Sequence, residues 1–147
     1  MQPVPRIPLD SPEVGQLLAL DIPAHLATLD PDGFPRITPL WFLWEAGAFY
    51  LTSVEGRPHL RNLQRDPRAS LCVDTEERVA IAGHRPNRQV KAYGLAHLAP
   101  DDEGYWTRRI TRKYLAGPEG EERAAYRAAM QRIVIVLRPS RLIAVGS

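Results

Sequence analysis

Short strand-forming runs follow one another through most of this chain with almost no helix between them. That ordering restricts the fold more than any single residue does. His25–Leu29 is the first run, and the DPDG tetrapeptide at 30–33 is strong turn chemistry. Arg36–Trp44 predicts a second strand that returns through Ala48–Ser53 across a turn at Glu45–Gly47. Dense β-branched and aromatic residues in short runs favour that hairpin over a helix. Ala69–Thr75, Arg78–Gly83 and Gln89–Leu98 continue the strands, the last after a turn at Arg85–Asn87, and Ile133–Leu137 and Leu142–Val145 close the chain. Parallel α/β architecture needs a crossover between most strands, and none is available here. The expected fold is therefore mainly β (α+β): an antiparallel barrel of six to seven strands, with helices outside it.

Four helical segments fit around these strands. Asp10 or Ser11 followed by Pro12 and Glu13 predicts a helix start, with Val14, Leu17 and Leu18 on one face and Pro23 beyond its end. Residues 57–65 predict a brief basic helix stopped at Asp66–Pro67. Trp106, Ile110 and Tyr114 recur at helical spacing, Gly117–Pro118 breaks that helix, and Glu119–Gln131 predicts another with acidic residues at its start. At 147 residues the chain reads as one domain, 1–147, with residues 1–9 an extended, proline-rich arm. Its single cysteine, Cys72, rules out an intrachain disulfide and a cysteine-based zinc site, and reads as a small core residue. The beginning of the sequence lacks the apolar core of a secretory signal, and no apolar run has membrane-spanning length. A cytoplasmic protein is expected.

The chemistry-bearing residues gather between Arg36 and Leu71. Thr52 and Ser53 end a strand just before a cationic segment holding Arg57, His59 and Arg61. Guanidinium groups, hydroxyls and the N–H groups of a helix start together suit phosphate oxygens. The alternative reading of the three cations is a solvated helix face. Pro39, inside RITPLW, marks an edge, a bulge or a place where another molecule lies against the backbone. Arg108, Arg109, Arg112 and Lys113 read most simply as the solvated side of an amphipathic helix. A formal charge of +2 without interleaved aromatics does not point to nucleic acid. His25, His59, His84 and His97 are scattered without metal-ligand spacing. No nucleophile–base constellation is legible, so redox chemistry would belong to a bound cofactor.

In this order, ATLDPDGFPRITPLWF, FYLTS, GRPHLRNLQRDPRASL and RQVKAYGLAHL resemble the pyridoxamine 5′-phosphate oxidase-like flavoproteins, the FMN-binding split β-barrels. The resemblance runs over residues 10–140. It implies a homodimer with two cofactor sites at the subunit interface and a small-molecule substrate, with neither nucleic acid nor membrane as partner. It places Arg36, Ile37, Thr38, Pro39, Leu40 and Trp41 along the flavin ring and ribityl chain. Leu51, Thr52 and Ser53 fall near the phosphate end. Arg57 with His59 or Arg61 binds the phosphate, and Gln89 reaches the flavin. Alone, Gln89 would read as a surface residue.

Three departures shape the expected activity. His59 stands where the family often has lysine. Trp41 replaces the substrate-binding lysine of true pyridoxamine-phosphate oxidases, and their carboxy-terminal Trp and Arg motif is missing from PSRLIAVGS. Oxidation of vitamin B6 is therefore not expected. Short members of the family include reductases using the deazaflavin F420, whose WF-rich second strand this chain shares, and Arg108–Lys113 offers positive charge for an acidic F420 tail. The expectation is an oxidoreductase using FMN, or alternatively F420. The competing reading is a non-catalytic flavin- or haem-binding carrier or sensor on the same barrel. Trp41 and Trp44 fall on opposite faces of a regular strand, so at most one lines the pocket unless a bulge at Pro39 changes the phase.

Overall fold

The computed structural model describes residues 6–146; most of the expected amino-terminal arm lies outside them. Helix α1 (Pro12–Ala19) starts where Ser11 Oγ accepts from the Glu13 N–H at 3.3 Å, and it buries Val14, Leu17 and Leu18. Strands β1 (Ala24–Leu29), β2 (Pro35–Leu40), β3 (Phe42–Glu45) and β4 (Ala48–Val54) follow, then the short helix α2 (Pro58–Arg65). Strands β5 (Arg68–Glu76) and β6 (Asn87–Pro100) lead to α3 (Tyr105–Tyr114) and α4 (Gly117–Ala129), and β7 (Arg132–Gly146) ends the fold.

All seven strands form one antiparallel sheet in the order β2-β1-β5-β6-β7-β4-β3. The sheet curls into a half-barrel. Its two edge strands, β2 and β3, are consecutive in the chain and separated only by Trp41. The expected continuous strand over Arg36–Trp44 is thus two strands on opposite edges. β2 pairs only with β1 and β3 only with β4, so the chain crosses the opening of the barrel at residue 41.

Phe42, Phe49, Leu51, Val73, Val90, Ile135 and Leu137 are almost wholly buried inside the curl. Leu17 and Leu18 of α1 and Leu60 and Leu63 of α2 complete the same cluster. Each large side chain contributes about 1.5–3 kcal/mol by leaving water. A smaller cluster on the outer face of β4 and β7 joins Tyr50 and Val134 to Trp106 of α3, with the Tyr50 and Trp106 rings stacked at 3.7 Å.

Several sequence expectations are corrected. Residues 78–83 are not a strand: they form a loop that folds on itself through mutual backbone bonds between Ile81 and His84, around Ala82 and Gly83 at positive φ. Val79 and Ile81 are exposed there, so their β-branching reflects no packing. Pro139–Ser140 does not divide β7, because the register shift at Tyr93/Gly94 absorbs the proline opposite Gly94. Gly117–Pro118 opens α4 rather than only ending α3, with proline in the first turn where its missing N–H costs nothing. Cys72 is half-buried, on the face opposite Leu71 and Val73, and burial pushes its thiol pKa up.

Candidate functional site

Strand alternation decides which residues of RITPLW share a space. Arg36, Thr38 and Leu40 point to one face of β2, and with Trp41 they form one wall of a cavity of about 390 Å³. The opposite wall is the end of β4, with Thr52, Ser53 and Val54, and the start of α2, with Arg57, Pro58 and His59. The seam between the two sheet edges is therefore the cleft. Ile37 and Pro39 face outward on the other side of β2 and do not line this cavity, and Ile37 is 68% exposed.

At the start of α2, Arg57 occupies the cap position and Pro58 the first turn. The Arg57 guanidinium makes no hydrogen bond or ion pair to any described residue. His59 is buried, and its Nε2 lies 2.8 Å from Ser53 Oγ. Burial, then the Arg57 and Arg36 cations, hold the imidazole below its ordinary pKa. An anion entering the cavity would offset the two guanidiniums and so oppose their part of the depression, leaving the effect of burial.

Two further arginines complete the site, and neither was expected from sequence. Arg132, the first residue of β7, donates from Nη2 to the Thr52 carbonyl at 2.9 Å and from Nε to Thr52 Oγ1 at 3.2 Å. Burial, with Arg127 nearby, lowers its pKa to about 10. Arg127 of α4 donates to Thr111 Oγ1 at 2.6 Å and lies over the Trp41 indole at 4.9 Å from the ring centre. The Tyr114 ring stacks on Trp41 at 4.5 Å and 4°, so indole is sandwiched between tyrosine and guanidinium. Trp41 thus lines the cavity while serving as a seat for Arg127. Trp44 instead packs on Phe49 in the core.

Behind the wall runs a buried polar relay. Thr52 Oγ1 and Thr107 Oγ1 are 3.0 Å apart, and Thr107 Oγ1 donates to Asp101 Oδ2 at 2.6 Å. Asp101 also accepts from the N–H groups of Trp106 and Thr107, fixing the start of α3. With Thr107 donating to Asp101, the Thr52 hydroxyl donates to Thr107 and accepts from Arg132. Thr111, one turn along α3, donates to the Thr107 carbonyl and accepts from Arg127. Two fully buried threonines of one helix therefore aim both arginines.

Other expected site residues lie elsewhere. Leu51 is fully buried in the core. Arg61 lines a separate cleft with Asp30, Asn62 and Arg65. Gln89 sits mid-sheet on β6, opposite Asp74 and Val145, and is not part of this cavity. The expected basic cluster of α3 does not converge either: Arg109 pairs with Glu45 and Arg112 with Glu121, while Arg108 donates to the Glu103 carbonyl. Lys113 donates to the Leu18 and Phe42 carbonyls.

The cavity thus gathers Arg36, Arg57, Arg127 and Arg132 with three hydroxyl-bearing residues, Thr38, Thr52 and Ser53, and no carboxylate. Only Arg36 holds an acid, Asp30, at 2.8 Å. This donor set fits a phosphate group. Among the described residues no group of three His, Cys, Asp or Glu is placed to hold a metal ion, and no helix is long and apolar enough to cross a membrane.

The family model described as pyridoxamine 5′-phosphate oxidase matches residues 11–146, and the chain belongs to that family. No curated protein sequence matches the chain. A conserved hypothetical protein from Mycobacterium tuberculosis superposes with a TM-score of 0.77 at 19% identity, covering 99% of this chain and 89% of that one. A structure described as an F420 reductase gives 0.66 at 25% identity over 92% of this chain and 98% of its own. A FAD- and haem-binding protein from Mycobacterium smegmatis gives 0.69 at 21% identity, covering 93% of this chain and 71% of that one.

Proposed function

We propose that this chain is a cytoplasmic flavin-dependent oxidoreductase that holds FMN, or alternatively F420, and acts on a small organic molecule. The observation carrying this reading is the acid-free cavity at the barrel seam, where Arg57 and Arg132 flank the Ser53–His59 pair. In it Arg57, Arg132, His59 and Ser53 take the cofactor phosphate. Arg36, Thr38 and Leu40 border the remainder of the bound molecule. When bound, the ring supplies hydride transfer. The chain's own residues bind, orient and exclude water. The similarity to an F420 reductase supports the deazaflavin alternative.

A homodimer completes the site in this reading. Ile37, Ala27, Ser70 and Tyr93 are successive cross-strand partners and share the outer face of the sheet. Ala27, Ser70 and Tyr93, with Leu95, 53% exposed, line an open groove of about 470 Å³ suited to burial against a second copy. Gln89 then meets cofactor only from the partner protomer.

A second reading, a non-catalytic carrier or sensor, rests on the cavity lining. That lining holds no carboxylate or thiol and a single imidazole, His59, already held to Ser53. FMN titration into apoprotein, followed by flavin fluorescence, tests the phosphate assignment. Arg57→Ala is expected to weaken FMN by about tenfold or more, the worth of a charge-assisted bond. Unchanged affinity removes Arg57 from the site. Reduction of the bound ring by NAD(P)H and reoxidation by an acceptor separates enzyme from carrier.

A further inference from the structure

The cleft does not end at Trp41. A second cavity of about 450 Å³ shares Leu40, Trp41 and Arg127 with the first, and adds Pro23, Pro39 and Arg123. Arg127 faces both spaces. Resting on the reading above, we propose that Arg123 and Arg127 form a second anion subsite. It takes a carboxylate or phosphate group lying beyond the phosphate at Arg57 and Arg132.

Three observations carry this. First, Arg123 and Arg127 are four residues apart on α4, so they stand as neighbours on one helix face, a like-charge placement that costs stability. Each lacks an ion pair among the described residues, although Glu119, Glu121 and Glu122 lie on the same helix. The neighbouring α3 handles its arginines differently: Arg109 and Arg112 each hold a carboxylate in a bidentate pair. Second, Arg127 is built in rather than solvated. It is half-buried, its guanidinium is fixed by Thr111 at 2.6 Å and seated on indole, and both burial and Arg123 lower its pKa. Third, no acid lines either cavity. Arg127 is held by Thr111 and Trp41 and Arg123 lies over the Tyr126 ring at 4.8 Å, but neither guanidinium has a carboxylate partner among the described residues, so a ligand anion supplies the charge compensation that both lack.

Between the two cation groups the floor is Leu40 and the Trp41 edge, with Pro23 and Pro39 as rigid walls. That surface suits a molecule with an apolar middle and anions at two places. Two sources share this chemistry. The second anion belongs either to the cofactor itself, as a diphosphate or an acidic tail, or to a separately bound carboxylate substrate.

The test compares FMN, which carries one phosphate, with FAD and F420, which carry further anionic groups, on the full chain and on Arg123→Gln. Arg123 is exposed, so its replacement leaves the core intact. If the cofactor supplies the second anion, Arg123→Gln weakens FAD or F420 by about fivefold or more and leaves FMN within about twofold. If a substrate supplies it, the cofactor affinities stay unchanged. Benzoate titrated into the FMN-loaded protein, read by flavin absorbance, then binds about fivefold more weakly to Arg123→Gln. Either result supports the subsite. FMN binding that falls in Arg57→Ala, with every titration unchanged in Arg123→Gln, overturns the subsite while the first site stands. No FMN, FAD or F420 binding to the unaltered chain overturns the reading on which both rest.

Discussion

His59 Nε2 lies 2.8 Å from Ser53 Oγ, joining the first turn of α2 to the end of β4 across the floor of the cleft. Burial and the nearby Arg57 and Arg36 depress the imidazole pKa, so folding favours its neutral form. The unfolded chain takes up the proton first. Stability from this group is therefore present above the ordinary histidine pKa and is lost as pH falls toward the depressed folded value. Urea denaturation at pH 7.5 and 5.5 should show a larger loss for the unaltered chain than for His59→Gln. Inorganic phosphate should raise the His59 titration midpoint seen by NMR.

Thr107 is the junction of the relay from Asp101 to Arg132. Thr107→Val preserves shape but leaves the buried Thr52 O–H without its acceptor and removes one of the two bonds that Thr107 makes to Asp101 Oδ2, keeping the backbone N–H bond. A loss of about 1–3 kcal/mol in denaturant unfolding is expected. Because Thr52 also accepts from Arg132, FMN affinity should fall with it. Thr107→Ser should recover both, which separates the hydroxyl from the methyl group.

Lys113 brings the end of α3 onto the carbonyls of Leu18 and Phe42, with its ammonium 3.7 Å from the Phe42 ring centre. Burial lowers its pKa to about 8, with Asp21 opposing the shift. From about pH 8 to the unfolded lysine pKa the unfolded chain binds more protons, so stability attributable to Lys113 increases with pH. Between pH 7 and 9.5, the difference in unfolding free energy should move in favour of the unaltered chain over Lys113→Met. A difference independent of pH would falsify the assignment.

Gly104 marks the closest approach of α4 to the start of α3. Its φ is +66°, and an added Cβ would stand 2.4 Å from the Ala128 Cβ. Gly104→Ala should cost about 1–3 kcal/mol from backbone strain, with the clash in addition. Ala128→Gly in the same chain should restore only part of the loss, since it clears the contact and leaves the dihedral. Arg127 adjoins Ala128, so anion affinity in Gly104→Ala should fall as α4 shifts.

The barrel was legible because strand runs, DPDG and the late helices are local signals, each set by residues a few positions apart. The wall formed by Arg36, Thr38 and Leu40 follows from the same alternation, which also explains why Ile37 and Pro39 face away. Trp41 was the point where local reading stopped. Nothing in RITPLWFLW says that one half belongs to one sheet edge and the rest to the other. Arg127 and Arg132 were missed for a related reason. Each looks like an ordinary cation at a helix end or strand start, and only the fold sets them against Trp41 and Thr52. Conversely, Arg78–Gly83 reads as a strand because Val79 and Ile81 are β-branched, yet no neighbouring strand exists to receive them.

Trp41 is also the residue at which the backbone passes from one edge strand of the sheet to the other. Parting β2 from β3 requires the backbone to swing at that residue, while its indole is clamped between Tyr114 and Arg127. The cation that faces the ligand is thus also the latch on the seam. A molecule seated in the cleft should slow amide hydrogen exchange in both edge strands together, although they share no hydrogen bond. Occupancy and closure of the barrel become one equilibrium.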